Sequence, residues 1–346
     1  MGKPRGFPNF DKVLNMEVLF PKYYKDFRCI AAACPDSCCK EWTVDVDAEA
    51  AAMYRKLPGD LGNRLRSVLL DTGDGTVMEI ENGRCPMWRQ DGLCRIQAEL
   101  GHDALCKTCR DFPRLRHDYG DFVELGLELS CPEAARLIFI GNDAIVAETV
   151  PGGEEPDYDA EIMGILKKSR LEALALLADD RFALPARLAI MLLRAHDLQE
   201  EIDGSQAIPL DPDTLLTEAK GYVGQGNLTG IPDFFRELEI LTDRWNTLLL
   251  QETQAVVWNA ELVAFARYLI GRYWLQAIAD FDLICRVKMI ITACILVGSL
   301  KGDTIQTAQL FSKEIKNNPD NVEAILEGAY TSPALTDINL FSILLG

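Results

Sequence analysis

Cys29-Ile-Ala-Ala-Ala-Cys34-Pro-Asp-Ser-Cys38-Cys39 is the stretch around which the first part of this chain is organised. Nine of the eleven cysteines belong to this stretch or follow it within the N-terminal half, the later ones being Cys85, Cys94, Cys106, Cys109 and Cys131. Residues 1–28 contain no continuous apolar segment of the kind that a secretion signal needs, so we expect a reducing compartment and few disulfides. Thiolates are soft ligands for zinc and for iron–sulfur clusters. The sequence therefore predicts a cysteine-bound metal centre.

Composition and charge narrow the choice of partners. The chain has 346 residues and a net charge of −18, with 48% hydrophobic and 25% charged residues, which is ordinary for a globular protein. An acidic surface repels phosphate backbones, so we expect no nucleic acid as a partner. The longest apolar stretch, 289–300, is too short to span a membrane. We therefore predict a cytoplasmic protein that does not bind membranes.

We predict a mostly α fold made of two domains. Residues 1–150 form a cysteine-rich metal-binding domain with a few short strands, and residues 151–346 form an all-α domain. We expect residues 1–28 to be an irregular arm and the Pro- and Gly-rich segment 151–157 to be a linker. Apolar residues spaced three and four apart predict helices in the second domain. These helices cover 160–177, 185–201, 213–222, 232–249, 260–279, 283–300, 304–317 and 321–330.

Short elements are also predicted within the cysteine-rich part. Alternating apolar and polar residues predict strands at 42–47 and 122–129. Asp47 is expected to cap a helix that begins at Ala48. The segment Ser130-Cys131-Pro132-Glu133 fits a capping box, which would place Cys131 at the positive end of a helix, where a thiolate is favoured.

A set of spaced motifs extends over residues 21–140. The motifs are Phe27-x-Cys29, Cys34-x3-Cys38-Cys39-x2-Trp42, Cys85-Pro86, Gly92-Leu-Cys94-x-Ile96-Gln97, Leu100-Gly101, Thr108-Cys109-x2-Phe112-Pro113-Arg114 and Ser130-Cys131-Pro132-Glu133-Ala134-Ala135-Arg136-Leu137. Together they resemble the flagellin lysine-N-methylase family, whose N-terminal part belongs with the zinc- or iron-chelating CxxCxxCC domains. The chain departs from the family pattern in its looser C-x4-C-x3-CC spacing and in Cys106, where a small polar residue is expected.

Eight cysteines remain as metal-ligand candidates when Cys106 is set aside as a bystander. They are Cys29, Cys34, Cys38, Cys39, Cys85, Cys94, Cys109 and Cys131. A 4Fe–4S cluster held by four of these eight is favoured, with zinc as the alternative, because adjacent cysteines fit poorly on one tetrahedral ion. Radical chemistry is not supported, since a C-x3-C-x2-C triplet would need a cysteine at position 41, which is Glu41.

The resemblance implies methyl transfer from S-adenosylmethionine to lysine side chains of flagellin, which would be the protein substrate. We expect the metal centre to brace the fold and the donor to bind between the cysteine domain and the helices. A non-catalytic metal-binding interaction protein and a redox sensor remain as alternatives.

The residues that would contact the centre or the donor are less well defined, and no catalytic residue is identified. Trp42 lies beside the cysteines in sequence and either covers the centre or belongs to the core. Arg114 and Arg136 either offset the charge of a thiolate cluster or form ordinary salt bridges. No Gly-rich loop follows a strand in the manner of a Rossmann methyltransferase. The three histidines are scattered, and His102 alone is close to the cysteines.

Overall fold

The computed structural model describes residues 14–40, 42–316 and 318–346. Helices make up 56% of the structure, and the described strands all lie at or before Gly153. This confirms the prediction of a mostly α protein whose few strands belong to the cysteine-rich part.

Seven strands of the described chain form two small sheets. The strands are β1 (Leu14–Pro21), β2 (Val44–Val46), β3 (Leu69–Thr72), β4 (Gly75–Met78), β5 (Arg114–Asp118), β6 (Phe122–Leu127) and β7 (Ile145–Gly153). One sheet has the order β5-β6-β1-β7, in which β1 runs parallel to β6 and antiparallel to β7. The other has the order β2-β4-β3 and is antiparallel throughout. The first sheet therefore joins the beginning of the described chain to residues more than a hundred positions later.

Two predictions were wrong where long-range strand pairing overrides local composition. Residues 14–21 of the predicted irregular arm form β1, which is paired on both sides; residues 1–13 lie outside the described chain. The beginning of the predicted linker, up to Gly153, is part of β7. Pro151 is tolerated there because β7 is an edge strand of its sheet, where one face of the backbone has no partner strand.

Five α-helices connect the strands of the cysteine-rich part. They are α1 (Ala48–Lys56), α2 (Gly59–Val68), α3 (Arg95–Leu100), α4 (Lys107–Asp111) and α5 (Pro132–Ile140). The predicted cap of α1 is confirmed, because the Ala50 N–H donates to the Asp47 carboxylate at 3.0 Å. The predicted capping box is wrong: α5 begins one residue later than expected, Cys131 is its N-cap, and Glu133 pairs with Arg136 instead.

Ten helices follow in the described part of the C-terminal region. They are α6 (Ala160–Leu177), α7 (Leu184–Ile202), α8 (Pro212–Lys220), α9 (Gly230–Arg236), α10 (Asp243–Leu249), α11 (Ala260–Tyr273), α12 (Ile284–Ser299), α13 (Thr304–Lys316), α14 (Pro319–Thr331) and α15 (Asp337–Leu345). The prediction for α6 is confirmed to the residue.

Two predicted helices of this region are interrupted in the structure, and one helix was not predicted. The predicted helix 232–249 is divided into α9 and α10, because Thr242 begins a new helix by accepting a hydrogen bond from the Trp245 N–H. The predicted helix 260–279 is α-helical only to Tyr273 and then tightens into a 3-10 helix, Trp274–Ala279. Helix α15 was not predicted, although its apolar face carries the buried Leu340 and Phe341.

Two separate hydrophobic cores organise these elements. The small core lies among β2, β4, α1 and α2 and includes Tyr54, Leu65, Cys85 and Cys106. The large core combines the helices from α6 onward with residues of β6 and α5, such as Leu127 and Leu137. The boundary at 150/151 stays a prediction, and β7 runs through it. No helix of the described chain has both the length and the apolar character needed to cross a membrane.

Candidate metal centre

All eleven cysteines are free thiols, and the structure brings five of them together in and around the small core. Cys85 and Cys106 are buried within this core, and Cys39, Cys94 and Cys109 pack against it. Thiols that are more than fifty residues apart in sequence therefore share one site.

A turn returns Cys94 to the neighbourhood of Cys85. Gly92 has a φ of +81°, which favours glycine, and its N–H donates to the Arg89 carbonyl at 2.9 Å. The Arg95 N–H then donates to the Met87 carbonyl at 2.7 Å, which closes the loop. The Asp91-Gly92 pair therefore acts as a turn between two thiols.

Cys39 is tied to both of these positions. The Cys85 N–H donates to the Cys39 carbonyl at 2.7 Å, and the Cys39 thiol is hydrogen-bonded to the thiols of Cys38 and Cys94. The bond from Cys39 lowers the pKa of Cys94 to about 6 against the opposing effect of burial. The same kind of bond lowers the pKa of Cys38, whereas the pKa of Cys39 is raised. Cys39 is thus bonded to two neighbouring thiols, and the pKa of each neighbour is lowered.

Cys106 lies inside this group, although the sequence analysis set it aside. Its side chain is 3% exposed and is hydrogen-bonded to Cys109 one helical turn further along. That bond raises the pKa of Cys109 and lowers the pKa of Cys106. The signal that identifies Cys106 is its C-x2-C spacing to Cys109, the only such spacing in the chain.

Asp47 fixes the position of this pair relative to α1. Besides capping α1, its carboxylate accepts a hydrogen bond from the Lys107 N–H at 2.6 Å, at the beginning of α4. The bond from Lys107 and then that from Ala50 lower the pKa of Asp47. Tyr54 of α1 adds a second link, since its hydroxyl donates to the Ala104 carbonyl at 2.7 Å. Helix α1 is therefore the support against which Cys106 and Cys109 are held.

Cys29, Cys34 and Cys131 form a second group. The charges of Cys29 and Cys34 act on Cys131, and those of Cys29 and Cys38 act on Cys34. The Cys131 thiol accepts hydrogen bonds from the N–H groups of Ala134 and Glu133 at the beginning of α5, but burial outweighs them and raises its pKa to about 11. Burial thus opposes the thiolate that this helix end is expected to favour. Burial is also the main reason that the pKa of Cys34 is raised.

The remaining candidate residues are Trp42, Arg114, Arg136 and His102, and each has its own contacts. Trp42 is close to them, since its indole N–H donates to the Cys38 carbonyl at 2.7 Å and its ring lies 5.9 Å from that of Phe112. Arg114 lies over the Phe27 ring at 5.1 Å, and Arg136 is an exposed partner of Glu133. Their roles toward a cofactor stay predictions. His102, the histidine nearest the cysteines in sequence, is exposed, with its ring 3.9 Å from the Asp103 carboxylate.

Helix α13 connects the loop that contains Asp36, between Cys34 and Cys38, to the helical region. The buried Lys313 Nζ lies 3.5 Å from the Asp36 carboxylate, which also pairs with Lys40 at 2.6 Å. One turn earlier, the Gln309 side chain donates to the Ser130 carbonyl at 2.9 Å. These contacts could not be predicted from the sequence, because nothing near residue 313 indicates its partner.

The donors fit a thiophilic metal in their chemistry, because several thiols, which are soft ligands, meet in a partly buried site. Among the described residues, however, no group of three or more His, Cys, Asp or Glu side chains has the arrangement of a single-ion site. The structure therefore shows which thiols are neighbours, and the ligand set stays a prediction.

Comparison with known proteins identifies relatives in Salmonella. The chain is 31% identical over 138 residues to the flagellar biosynthetic protein FliU of Salmonella muenchen, a match that covers 36% of this chain and 78% of that protein. It is 33% identical over 132 residues to the lysine-N-methylases of Salmonella choleraesuis and Salmonella typhimurium. These matches cover 36% of this chain and 33% of each methylase, so the chain spans about a third of the methylases it matches. No protein-family model and no solved structure matches the chain.

Proposed function

Because the chain belongs to the flagellin lysine-N-methylase family, we propose that it is a lysine N-methyltransferase that uses S-adenosylmethionine to methylate lysine side chains of flagellin. The observation that carries this proposal is the 33% identity with two proteins named lysine-N-methylase. The relative named for flagellar biosynthesis supports a flagellar protein as the substrate.

We further propose that a cysteine-bound metal centre, a 4Fe–4S cluster or zinc, braces the cysteine-rich part. Such a centre would cross-link segments that carry little apolar area of their own. The thiols available to hold it are those of the small core and those near Cys131, with Cys38 between them. The support comes from the convergence of thiols from distant points of the sequence.

The proposed reaction makes limited demands on the protein. A lysine amine has a free pKa of about 10.4, so it must lose a proton before it attacks the methyl group. Alignment of the amine with the methyl–sulfur bond then contributes most of the rate, because the sulfonium is already a good leaving group. We propose that the two reactants meet near α13, where the polar contacts of Gln309, Ser312 and Lys313 join the cysteine-rich part to the helices.

The test is a direct transfer assay. The full chain, purified anaerobically, is incubated with methyl-labelled S-adenosylmethionine and flagellin, and label on lysine is measured by mass spectrometry. Flagellin whose lysines have been chemically blocked is the matched control and should take no label. If untreated flagellin also takes no label from folded, metal-loaded protein, the enzymatic proposal is wrong.

A redox sensor is the second candidate function, and the hydrogen-bonded Cys106–Cys109 pair favours it. Two thiols in contact can form a disulfide when an oxidant accepts two electrons. Mild peroxide followed by mass spectrometry would then reveal a reversible Cys106–Cys109 disulfide in a protein that transfers no methyl group. A protein that transfers methyl groups and forms no such disulfide would exclude this alternative.

A further inference from the structure

The loop before α12 exposes an aromatic side chain on a strained backbone. Phe281 is 45% exposed and has a φ of +60°, a left-handed conformation that is unfavourable for a bulky residue. Glycine or asparagine adopts this conformation at a lower cost. Strain of this kind persists only where the surrounding structure imposes it, and it is concentrated at functional sites. This position therefore displays an aromatic ring at the expense of backbone stability.

The side chain of Gln199 on α7 holds this loop on both sides of Phe281. Its amide nitrogen donates to the Phe281 carbonyl at 2.8 Å, and its amide oxygen accepts a hydrogen bond from the Leu283 N–H at 2.9 Å. The Phe281 N–H donates in turn to the Ala277 carbonyl at 2.7 Å. The exposed ring is therefore carried by a backbone that is fixed on both sides.

Tyr330 on α14 places a second exposed ring beside the loop. Its side chain is 58% exposed, and its hydroxyl donates to the Asp282 carboxylate, whose oxygens lie at 2.8 and 2.9 Å. The Lys288 ammonium lies 5.7 Å from the centre of the Tyr330 ring and 2.8 Å from the Asp337 carboxylate. A lysine of the chain itself thus shows how an aromatic face and a carboxylate together hold an ammonium. We call Phe281, Asp282 and Tyr330 the aromatic surface.

Carboxylates surround the aromatic surface and reach the solvent. Asp280 precedes Phe281 and is half exposed, and the exposed Asp203 accepts a hydrogen bond from the Gln199 amide at 3.2 Å. The cation that pairs with Asp280 is the buried Arg286, at 2.9 Å. The negative charges are therefore presented outward while this positive charge is not. With a net charge of −18, the chain attracts a cationic partner here and repels a second copy of itself.

We propose that the aromatic surface docks a lysine-bearing segment of the protein substrate and takes no part in the transfer chemistry. The lysine ammonium would lie against an exposed aromatic face near the carboxylates of Asp280 and Asp282, and its alkyl chain would pack on the Phe281 ring. This inference rests on the proposed function for the identity of the partner, flagellin, and it concerns binding alone.

The experiment measures binding and turnover in variants of the full chain. Equilibrium binding of flagellin is measured without a methyl donor, and Phe281→Asn and Tyr330→Leu should each raise the Kd by about fivefold or more. In the transfer assay, the KM for flagellin should rise by a similar factor while kcat stays unchanged, because only uniform binding is removed. Added salt should weaken binding by the wild-type protein.

The controls separate docking from folding. Asparagine tolerates a positive φ, so Phe281→Asn should unfold at the wild-type temperature or above it, whereas loss of a merely structural ring would lower that temperature. Leu250→Ala removes another exposed apolar side chain of the helical region, at the end of α10, and should bind flagellin like the wild type. Flagellin with acetylated lysines has lost the positive charges and should bind the wild type as weakly as untreated flagellin binds the variants.

Three results would overturn the inference: a wild-type protein that does not bind flagellin, folded Phe281→Asn and Tyr330→Leu variants that bind as tightly as the wild type, or acetylated flagellin that binds as tightly as untreated flagellin. The transfer assay on the same samples separates these results from failure of the proposed function. Transfer with an unchanged KM in both variants would exclude the docking surface and leave the enzyme. Lysine-dependent binding without transfer would exclude the enzyme and leave the docking surface.

Discussion

The small core and the large core of this protein differ in what fills them. The large core is built from aliphatic and aromatic side chains, among them the fully buried Phe265 and Trp245, and it extends through the helices from α6 to α15. The small core has far fewer apolar residues, and thiols occupy part of it and of its edge. Burial of one large apolar side chain contributes about 1.5–3 kcal/mol, so the large core has ample driving force of its own. The small core therefore needs another source of stability, and the thiols are in the position to supply it.

Removal of metal should produce the largest difference between the two cores. We expect chelation under reducing, anaerobic conditions to abolish hydrogen-exchange protection over residues 44–109 while α6 to α15 keep theirs. Structural metal binding contributes about 10 kcal/mol or more to the folding of small domains, which is why the effect should be large and local. The same treatment with zinc-saturated chelator is the control. Equal loss of protection in both regions would contradict the comparison.

A cavity created by mutation in the large core should destabilise the helical region. Phe265 is fully buried, and its ring meets that of Phe311 edge to face at 5.8 Å. Phe265→Ala should lower the free energy of unfolding by about 3–5 kcal/mol, measured by urea denaturation. The matched control is Leu171→Ala on α6, where the side chain is 68% exposed and the change should stay within about 0.5 kcal/mol. Similar costs for the two variants would show that this part of the core does not pack as described.

Acid should weaken the large core at Asp337, a half-buried carboxylate that pairs with Lys288 and His196. Burial alone would raise the pKa of Asp337, but hydrogen bonds from His196 and Lys288 outweigh it and lower this pKa to about 2. A carboxylate with a lowered folded-state pKa stabilises the fold above its unfolded pKa of about 3.9, and this contribution is lost as the pH falls toward 2.

Asp337→Asn should therefore flatten the dependence of unfolding free energy on pH between about 4 and 2, by about 2 kcal/mol at most. Glu327→Gln, on the exposed side of α14, is the control and should leave the slope unchanged. An unchanged slope in Asp337→Asn would mean that this carboxylate is not held by its two partners in solution.

A single hydrogen bond of the small core should have the smallest effect. The Tyr54 hydroxyl donates to the Ala104 carbonyl at 2.7 Å, which joins α1 to the segment before Cys106. Tyr54→Phe should cost about 1 kcal/mol, seen as faster hydrogen exchange over residues 44–109 only. Tyr222→Phe, an exposed tyrosine of the helical region, is the control. Faster exchange throughout the helices would show that the two cores unfold together.

Much of the fold could be predicted because helices are encoded locally. The bounds of α6 follow from its apolar spacing and from Asp159, which caps it. The division of 232–249 was missed because Thr242 looks like any polar residue until its bond to the Trp245 N–H is seen. Strand β1 was missed for a different reason, since its partners β6 and β7 lie more than a hundred residues away.

The candidate site shows the same limit. Sequence could name the cysteines as the chemistry-bearing residues, because thiols at this density are typical of metal sites. Cys106 was set aside as a bystander, although its side chain is 3% exposed and is hydrogen-bonded to Cys109. Family spacing carries no information about a thiol that the family pattern lacks.

The sequence by itself determined that this is a mostly helical protein, that it resembles the lysine-N-methylases and that its chemistry lies in cysteines. Composition, short-range periodicity and spaced motifs are all readable within a few tens of residues. Only the tertiary structure decided which thiols are neighbours, that Cys39 bonds to both Cys38 and Cys94, and that Lys313 holds the loop containing Asp36. Those contacts join residues up to 277 positions apart, and they exist only once two hydrophobic cores have packed.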